Sequence, residues 1–252
     1  MERGIHRELE DEARNMIPRI HAHDLVRKSG SEAVIFDMDG VLADTEEYHV
    51  EAWAALARAH SLYPDGAEPG SPGGEAALKV IRSTFGQTND TIIPLLWRHA
   101  GRGPVDDVAE LSREKETLYR NAARGRVRPM KGVDRFLRWL RANGVPTAIG
   151  TSGPAANVEF LLAEFGWEGL FTSLIHRQRF AAGKPAPDCF LKAAEELRVR
   201  PRRAIVFEDS IHGLLAARQG GFWPAAIAGT HTETELLPYS RWVFRDFREV
   251  SC

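Results

Sequence analysis

Ala33-Val34-Ile35-Phe36-Asp37-Met38-Asp39-Gly40 is the stretch on which the fold turns. Its first half is a continuous apolar run, too short for a helix, and reads as a strand buried on both faces of a parallel sheet. The run stops abruptly at two carboxylates two residues apart. Gly40 permits the tight path that lets both face one crevice.

The same event recurs downstream. Pro146-Thr147-Ala148-Ile149-Gly150 ends in Thr151-Ser152, and Ala204-Ile205-Val206-Phe207 ends in Glu208-Asp209. Weaker strand candidates lie at Leu174-Ile175, Ala225 to Ala228 and Trp242-Val243-Phe244. Between strands the apolar spacing becomes helical: Val133, Phe136, Leu137 and Leu140, then Val158, Leu161, Leu162 and Phe165. Alternating strands and helices specify a doubly wound α/β sheet, in which the ligand crevice lies beyond the carboxyl ends of the strands. The polar residues at those ends therefore belong to one site.

The segment from Glu46 to Gly125 follows a different pattern, with helical stretches around a Pro/Gly-rich loop from Pro64 to Gly74 and no buried strand. Trp53, Leu56, Leu78, Ile81, Leu95, Leu96, Leu111 and Leu118 are expected to form its own small core. Upstream, Glu8, Glu10, Asp11, Glu12 and Pro18 give a polar start to the chain, followed by His21-x-His23, a pair read as solvated because no further metal-ligand pattern accompanies it. The expected organisation is thus a polar N-terminal extension over 1–29, a Rossmann-like core over 30–45 and 126–252, and an inserted helical cap over 46–125.

Composition narrows the function. Over 252 residues the formal net charge is -2, which gives no global field to gather nucleic acid. The arginines at 124, 126 and 128 with Lys131, and those at 198, 200, 202 and 203, lack the interleaved aromatics of a nucleic-acid surface. The two cysteines, Cys189 and Cys252, have no metal or redox spacing and suit a reducing cytoplasm. No apolar run is long enough to span a bilayer. The expected partner is a small metabolite, with neither nucleic acid nor membrane.

The chemistry follows from the residue types at the strand ends. Asp37 can attack phosphorus and carry an aspartyl-phosphate, dividing one hard displacement into two easier ones. Asp39 would protonate the leaving oxygen and then activate water. Carboxylates and phosphate repel, so the site needs a cation, and hard oxygen ligands favour Mg2+ held by Asp37, Asp39, Glu208 and Asp209. Lys184, in Gly183-Lys184-Pro185-Ala186-Pro187-Asp188, would add a point charge, and Thr151 and Ser152 would donate hydrogen bonds to phosphoryl oxygens. A calcium loop would need further oxygen ligands at fixed positions and a preceding helix, so Asp37-x-Asp39-Gly40 is not read as one.

Asp37-Met38-Asp39-Gly40, Thr151-Ser152, Lys184 and Glu208-Asp209-Ser210, in that order, resemble the motifs of the haloacid dehalogenase superfamily. The resemblance covers nearly everything from Ala33 onward, and the segment between the first two motifs is similar to the family's helical caps. Asp44-Thr45-Glu46-Glu47-Tyr48-His49-Val50-Glu51-Ala52-Trp53 and Gly183 to Asp188 look like the β-phosphoglucomutase branch. That resemblance implies that Thr45 and His49 at the cap hinge couple cap closure to proton transfer and that Lys115 of the cap meets the substrate, so that all three belong to the substrate side of the site. It also implies a cap arginine that grips a far phosphate, yet the matching loop reads Phe85-Gly86-Gln87-Thr88-Asn89-Asp90; Arg82 and Arg98 are the nearest replacements.

The function expected is hydrolysis of a small phosphorylated metabolite, most simply a sugar phosphate. The rivals are a β-phosphoglucomutase-type isomerase and a non-catalytic phosphometabolite-binding protein, the latter disfavoured by intact Asp37, Asp39, Lys184 and Asp209. A dehalogenase is disfavoured by Asp39. A phosphonate-cleaving enzyme would need a Schiff-base lysine, and the cap offers only Lys79 and Lys115. The substrate itself is set by cap loops that the chemistry does not dictate.

Overall fold

The computed structural model describes residues 20–62, 79–84 and 86–251. Among these, six strands form one parallel sheet. Their order is β6 (Ser173–Ile175), β5 (Thr147–Gly150), β2 (Ala33–Phe36), β7 (Ala204–Glu208), β8 (Trp223–Ile227) and β9 (Trp242–Phe244). Every neighbouring pair is parallel, so each connection crosses over, and the three apolar runs read from sequence sit side by side at the centre. The weaker candidates became β6, β8 and β9.

Two-sided burial explains why the central runs are continuous. Along β2, Val34 and Phe36 enter one hydrophobic cluster while Ala33 and Ile35 enter the other; along β7, Ile205 and Phe207 alternate with Ala204 and Val206 in the same way. The first cluster is closed by α5 (Val133–Ala142) and α6 (Ala155–Phe165), the second by α7 (Asp188–Leu197) and α8 (Ile211–Gln219). Phe36 stacks on Phe207 with centroids 5.4 Å apart, and Phe136 and Phe247 close around them. Each such aromatic pair adds about 0.5–1.5 kcal/mol beyond area burial, which fixes the strands that carry the acidic residues.

The expectation of a polar extension over 1–29 is corrected where the structure describes it. Ile20–His21 forms β1, pairing in parallel with β10 (Val250–Ser251), and Ala22–Ser29 forms α1. Ala22 and Leu25 are fully buried in the first cluster, and Val26 packs against it. Ala22, Leu25 and Val26 are spaced i, i+3, i+4, an apolar stripe masked in the sequence by charged neighbours. The acidic start of the chain lies outside the described residues.

The chain leaves the core through β3 (Ala43–Asp44) and returns through β4 (Arg128–Pro129), which pair antiparallel as a two-strand neck. Beyond the neck, α2 (Glu46–Ala59), α3 (Asn89–His99) and α4 (Val108–Ala123) enclose Trp53, Leu56, Ile81, Ile92, Ile93, Leu96, Trp97 and Leu111, with Leu118 packed against them. Leu95 is only half-buried: Ile92 and Ile93 take the inward positions of α3 instead. Leu78, Phe85, Cys252 and the loop at 64–74 lie outside the described residues.

Candidate active site

At the end of β2, the Asp37 N–H donates to Phe207 O at 2.9 Å, so the sheet ladder still holds the backbone of the first carboxylate. The chain then turns at Gly40, whose φ is 73°. A Cβ there would overlap the Asp209 carboxylate, so the position demands glycine both for conformation and for space. The ends of β2, β5 and β7 and the loop before α7 converge on one cavity, which Asp37, Asp39, Thr151, Ser152, Lys184 and Asp209 line from below.

Asp37, Glu208 and Asp209 are buried and can bring one oxygen each within 4.8 Å of the others. Lys184 Nζ lies between two of them, donating to Asp37 Oδ1 at 2.7 Å and Glu208 Oε1 at 2.6 Å. Glu208 Oε2 accepts from the N–H and hydroxyl of Ser210 at 2.7 and 2.9 Å, and Gly213 leaves it room at the start of α8. Burial, with Glu208 and Asp39 nearby, raises the Asp37 pKa to about 7 against the pull of Lys184. Burial and the charges of Glu208 and Asp37 also push Asp209 well up. Lys184, although buried, is driven upward by the same two carboxylates and stays charged.

One lysine thus faces three crowded acids. A divalent cation with a preference for oxygen ligands fits this donor set, since it would relieve the repulsion that raises Asp37 and Asp209. Asp39 is a correction. Its carboxylate is not in the cluster: Oδ1 accepts from His49 Nε2 at 3.1 Å, toward the cap. Burial favours its neutral form, but His49 and Lys115 outweigh that and hold the pKa low.

The tautomer of His49 follows from its partners. Lys115 Nζ sits 2.7 Å from His49 Nδ1, and an ammonium can only donate. Nδ1 is therefore the acceptor, and the ring proton is on Nε2, directed at Asp39. Tyr119 stacks on the imidazole at 3.9 Å with its plane 4° away. Lys115 in turn lies 5.0 Å over the Trp53 ring and donates to Glu116 Oε1 at 2.9 Å. Thr45 is buried at the N-terminus of α2 and lines the cavity, where its hydroxyl helps His49 and Lys115 keep Asp39 ionised.

The remaining expected residues divide. Thr151 is buried at the cavity floor, with its Oγ1 accepting from Gly153 N at 3.0 Å. Ser152 does not present its hydroxyl to the cavity centre as expected: it donates to Gly86 O at 2.8 Å, tying the cap loop to the core. Arg82 pairs with Glu46 at 3.7 Å, and neither it nor Arg98 is among the lining residues. Among the described residues, the basic groups that line the cavity are His49, Lys115 and Lys184, each already bonded to a carboxylate.

Several residues escaped the sequence reading. Thr230 donates to Asp209 Oδ2 at 3.0 Å; it follows β8, a fourth strand end, and the rule that found the other acids could have found it. Glu116 and Asn89 line the cavity from the cap and Asn157 from the core, and nothing in their local sequence marks them.

The profile of the haloacid dehalogenase-like hydrolase family matches residues 32–221. The chain is 32% identical over 188 residues to the fructose-1-phosphate phosphatase YqaB of Escherichia coli strain K12, covering 75% of this chain and 92% of that one. It is 30% identical over 226 residues to a β-phosphoglucomutase of Mycobacterium bovis, covering 81% and 84%. The crystal structure of CbbY from Rhodobacter sphaeroides in complex with phosphate superposes with a TM-score of 0.73 at 27% identity, covering 86% of this chain and 95% of that one.

Proposed function

The chain belongs to the haloacid dehalogenase-like hydrolases, and we propose that within that family it is a magnesium-dependent phosphatase of small sugar phosphates, working in the cytoplasm. The observation that carries this reading is the pairing of Asp37 with Lys184 at 2.7 Å inside a buried acid cluster, while Asp39 faces the opposite wall on His49. Two carboxylates two residues apart are thereby given separate tasks.

In the first half, an Asp37 oxygen forms a bond to phosphorus as the ester P–O bond breaks, and Asp39 gives its proton to the departing alcohol. The low pKa of Asp39 makes it a carboxylate at rest; a phosphate monoester arriving as its monoanion raises that pKa by like-charge repulsion and passes its proton to Asp39, and this is the proton the departing alcohol receives. In the second half, water attacks the aspartyl-phosphate, its proton passes to Asp39, and inorganic phosphate leaves with Asp37 restored. Lys184 holds Asp37 in line and balances charge on the phosphoryl oxygens, and Thr151 lies at the floor to meet them. Asp37, Glu208 and Asp209 would hold the Mg2+, whose contribution is to neutralise and polarise phosphoryl oxygens.

The segment 46–125 serves as the cap over the core of 30–45 and 126–252, with the β3–β4 neck as its hinge. Cys189 is a buried free thiol whose pKa is pushed up to about 12 by burial, which makes it inert and suits a reducing compartment.

Hydrolysis is preferred to isomerisation because, among the described residues, each basic group lining the cavity is already paired with a carboxylate, leaving none of them free for a second phosphate. A missing charge-assisted clamp costs about 1.5–3 kcal/mol, or roughly ten- to a hundredfold in binding. The mutase reading draws on the Asp39–His49–Lys115 chain and on the mutases among the relatives. The two separate when β-glucose 1-phosphate with a trace of bisphosphate is offered beside a panel of sugar phosphates. Free phosphate is expected to dominate, and faster formation of glucose 6-phosphate would replace the phosphatase with the mutase.

A further inference from the structure

Above the cavity lies a buried ionic network for which the reaction just described has no use. Glu116, on α4 of the cap, is a carboxylate only 6% exposed. Its Oε1 accepts from Lys115 Nζ at 2.9 Å and from Asn89 Nδ2 at 2.7 Å. Its Oε2 accepts from Asn157 Nδ2 at 2.6 Å. Asn157 belongs to α6 of the core and is fully buried. Its own carbonyl accepts from Arg120 at 2.8 Å. One core amide is therefore held at both ends by two cap residues four positions apart on one helix face.

The chemistry fixes the amide's orientation. A flipped Asn157 would set its oxygen against a carboxylate and its NH2 against a guanidinium, both repulsive. The contact can form only when cap and core are docked. Glu116 then has three donors, Lys115 among them, while the Lys115 ammonium is shared between Glu116 and His49 Nδ1. If the core amide withdraws, the buried carboxylate loses a donor and draws Lys115 more strongly. His49 then loses the partner that keeps its proton directed at Asp39.

We infer that Glu116 and Asn157 are positioning residues that report cap closure to Asp39 through Lys115 and His49. Docked, the network holds His49 in the tautomer that donates to Asp39; undocked, it releases it. The resemblance already implies closure-coupled proton transfer through His49; the Glu116–Asn157 bond is the contact that makes this relay depend on docking. This inference rests on the phosphatase reading, because it assigns Asp39 the acid–base role.

The test uses the full chain with Mg2+ and the isosteric variants Asn157→Asp, Glu116→Gln and the double exchange. Asn157→Asp sets two carboxylates against each other. It is expected to lower kcat for a sugar phosphate roughly tenfold or more, the loss of one charge-assisted contact. The burst of nitrophenolate from p-nitrophenyl phosphate should stay within about twofold, because that leaving group needs no proton and Asp37 is untouched. Glu116→Gln should show the same split. The double exchange restores donor against acceptor, and lets Arg120 pair with the new carboxylate, so it should recover a substantial part of what Asn157→Asp lost. Amide hydrogen exchange over residues 152–158, which needs no turnover, should rise in Asn157→Asp and fall back in the double variant. Parent-like kcat and exchange in Asn157→Asp, or a double variant no better than the worse single one, overturns the inference. A parent protein without Asp37-dependent phosphate release overturns the phosphatase reading instead, while the exchange arm still reports whether the contact governs docking.

Discussion

The floor and the roof of the cavity are built in different ways. On the floor, Asp37, Thr151 and Glu208–Asp209 follow directly from neighbouring strands of one parallel sheet, and their backbone positions are set by ladder hydrogen bonds and a two-sided core. On the roof, His49, Lys115 and Glu116 project from helices that have a small core of their own; Tyr48, Ala52, Tyr119 and Ala123 of these helices pack into the first cluster, and beyond them the roof meets the floor through a few side-chain bonds. A rigid floor suits a nucleophile that must be held in line. A roof that docks through replaceable polar contacts suits a lid, which closes only when those contacts are made. The difference also predicts how each half responds to change.

The largest effect should come from the floor. Asp37→Asn removes the nucleophile without removing volume, and should lower phosphate release by several orders of magnitude, since covalent catalysis has no bypass. It should fold at least as well as the parent without metal, because it deletes one of three crowded buried acids. Steady-state phosphate release and a thermal melt check both halves of this expectation.

Lys184→Met attacks the floor in the opposite sense, leaving Asp37 and Glu208 buried without their shared cation. Breaking such a buried pair typically costs about 3–5 kcal/mol. Urea unfolding without metal should show that loss, and added Mg2+ should return part of it by occupying the acid cluster.

On the roof, Glu116 gives a pH-dependent signature. Burial alone would raise its pKa, but Lys115, His49 and the two amides hold it below the ordinary value of 4.5. A carboxylate with a depressed folded pKa contributes stability that is complete above its unfolded pKa and is lost as pH falls through the folded one. The stability advantage of the parent over Glu116→Gln should therefore be constant above about pH 4.5 and shrink on acidification below it. A pH-independent difference would mean that the carboxylate charge is not what the network uses.

The smallest effect should come from the outer rim of the same contact. Arg177 pairs with Asp90 across cap and core at 2.9 Å, but the two side chains are 31% and 57% exposed. Arg177→Ala should change stability and kcat little, by about 0–1 kcal/mol or less. An effect as large as that of Asn157→Asp would show that docking is set by the rim and not by the buried amide.

The same division explains what could be read in advance. Asp37, Lys184, Glu208 and Asp209 were legible because strand ends in a doubly wound sheet must converge, so local patterns determine a non-local site. Asp39 was legible as a site residue but not as one turned from the acid cluster to the cap, because His49, which holds it, reaches it from a different layer. Ser152 was expected to face phosphate, and its hydroxyl instead meets Gly86 O, a partner 66 residues away. Glu116 and Asn157 carried no signal, since a polar residue on a helix is ordinarily solvated and only tertiary packing makes it a buried partner. The stripe of α1 was hidden for the related reason that three apolar residues among charges are too few to mark a helix from sequence.

Trapping the phosphoryl group tests the role of Asp37 as nucleophile most directly. The protein is mixed with a radiolabelled sugar phosphate and Mg2+, quenched in acid during turnover and digested. Label is predicted on the single peptide that carries Asp37, released by hydroxylamine and absent from Asp37→Asn. Release of labelled phosphate at the full parental rate with no label on Asp37, or with the label on another residue, would contradict it.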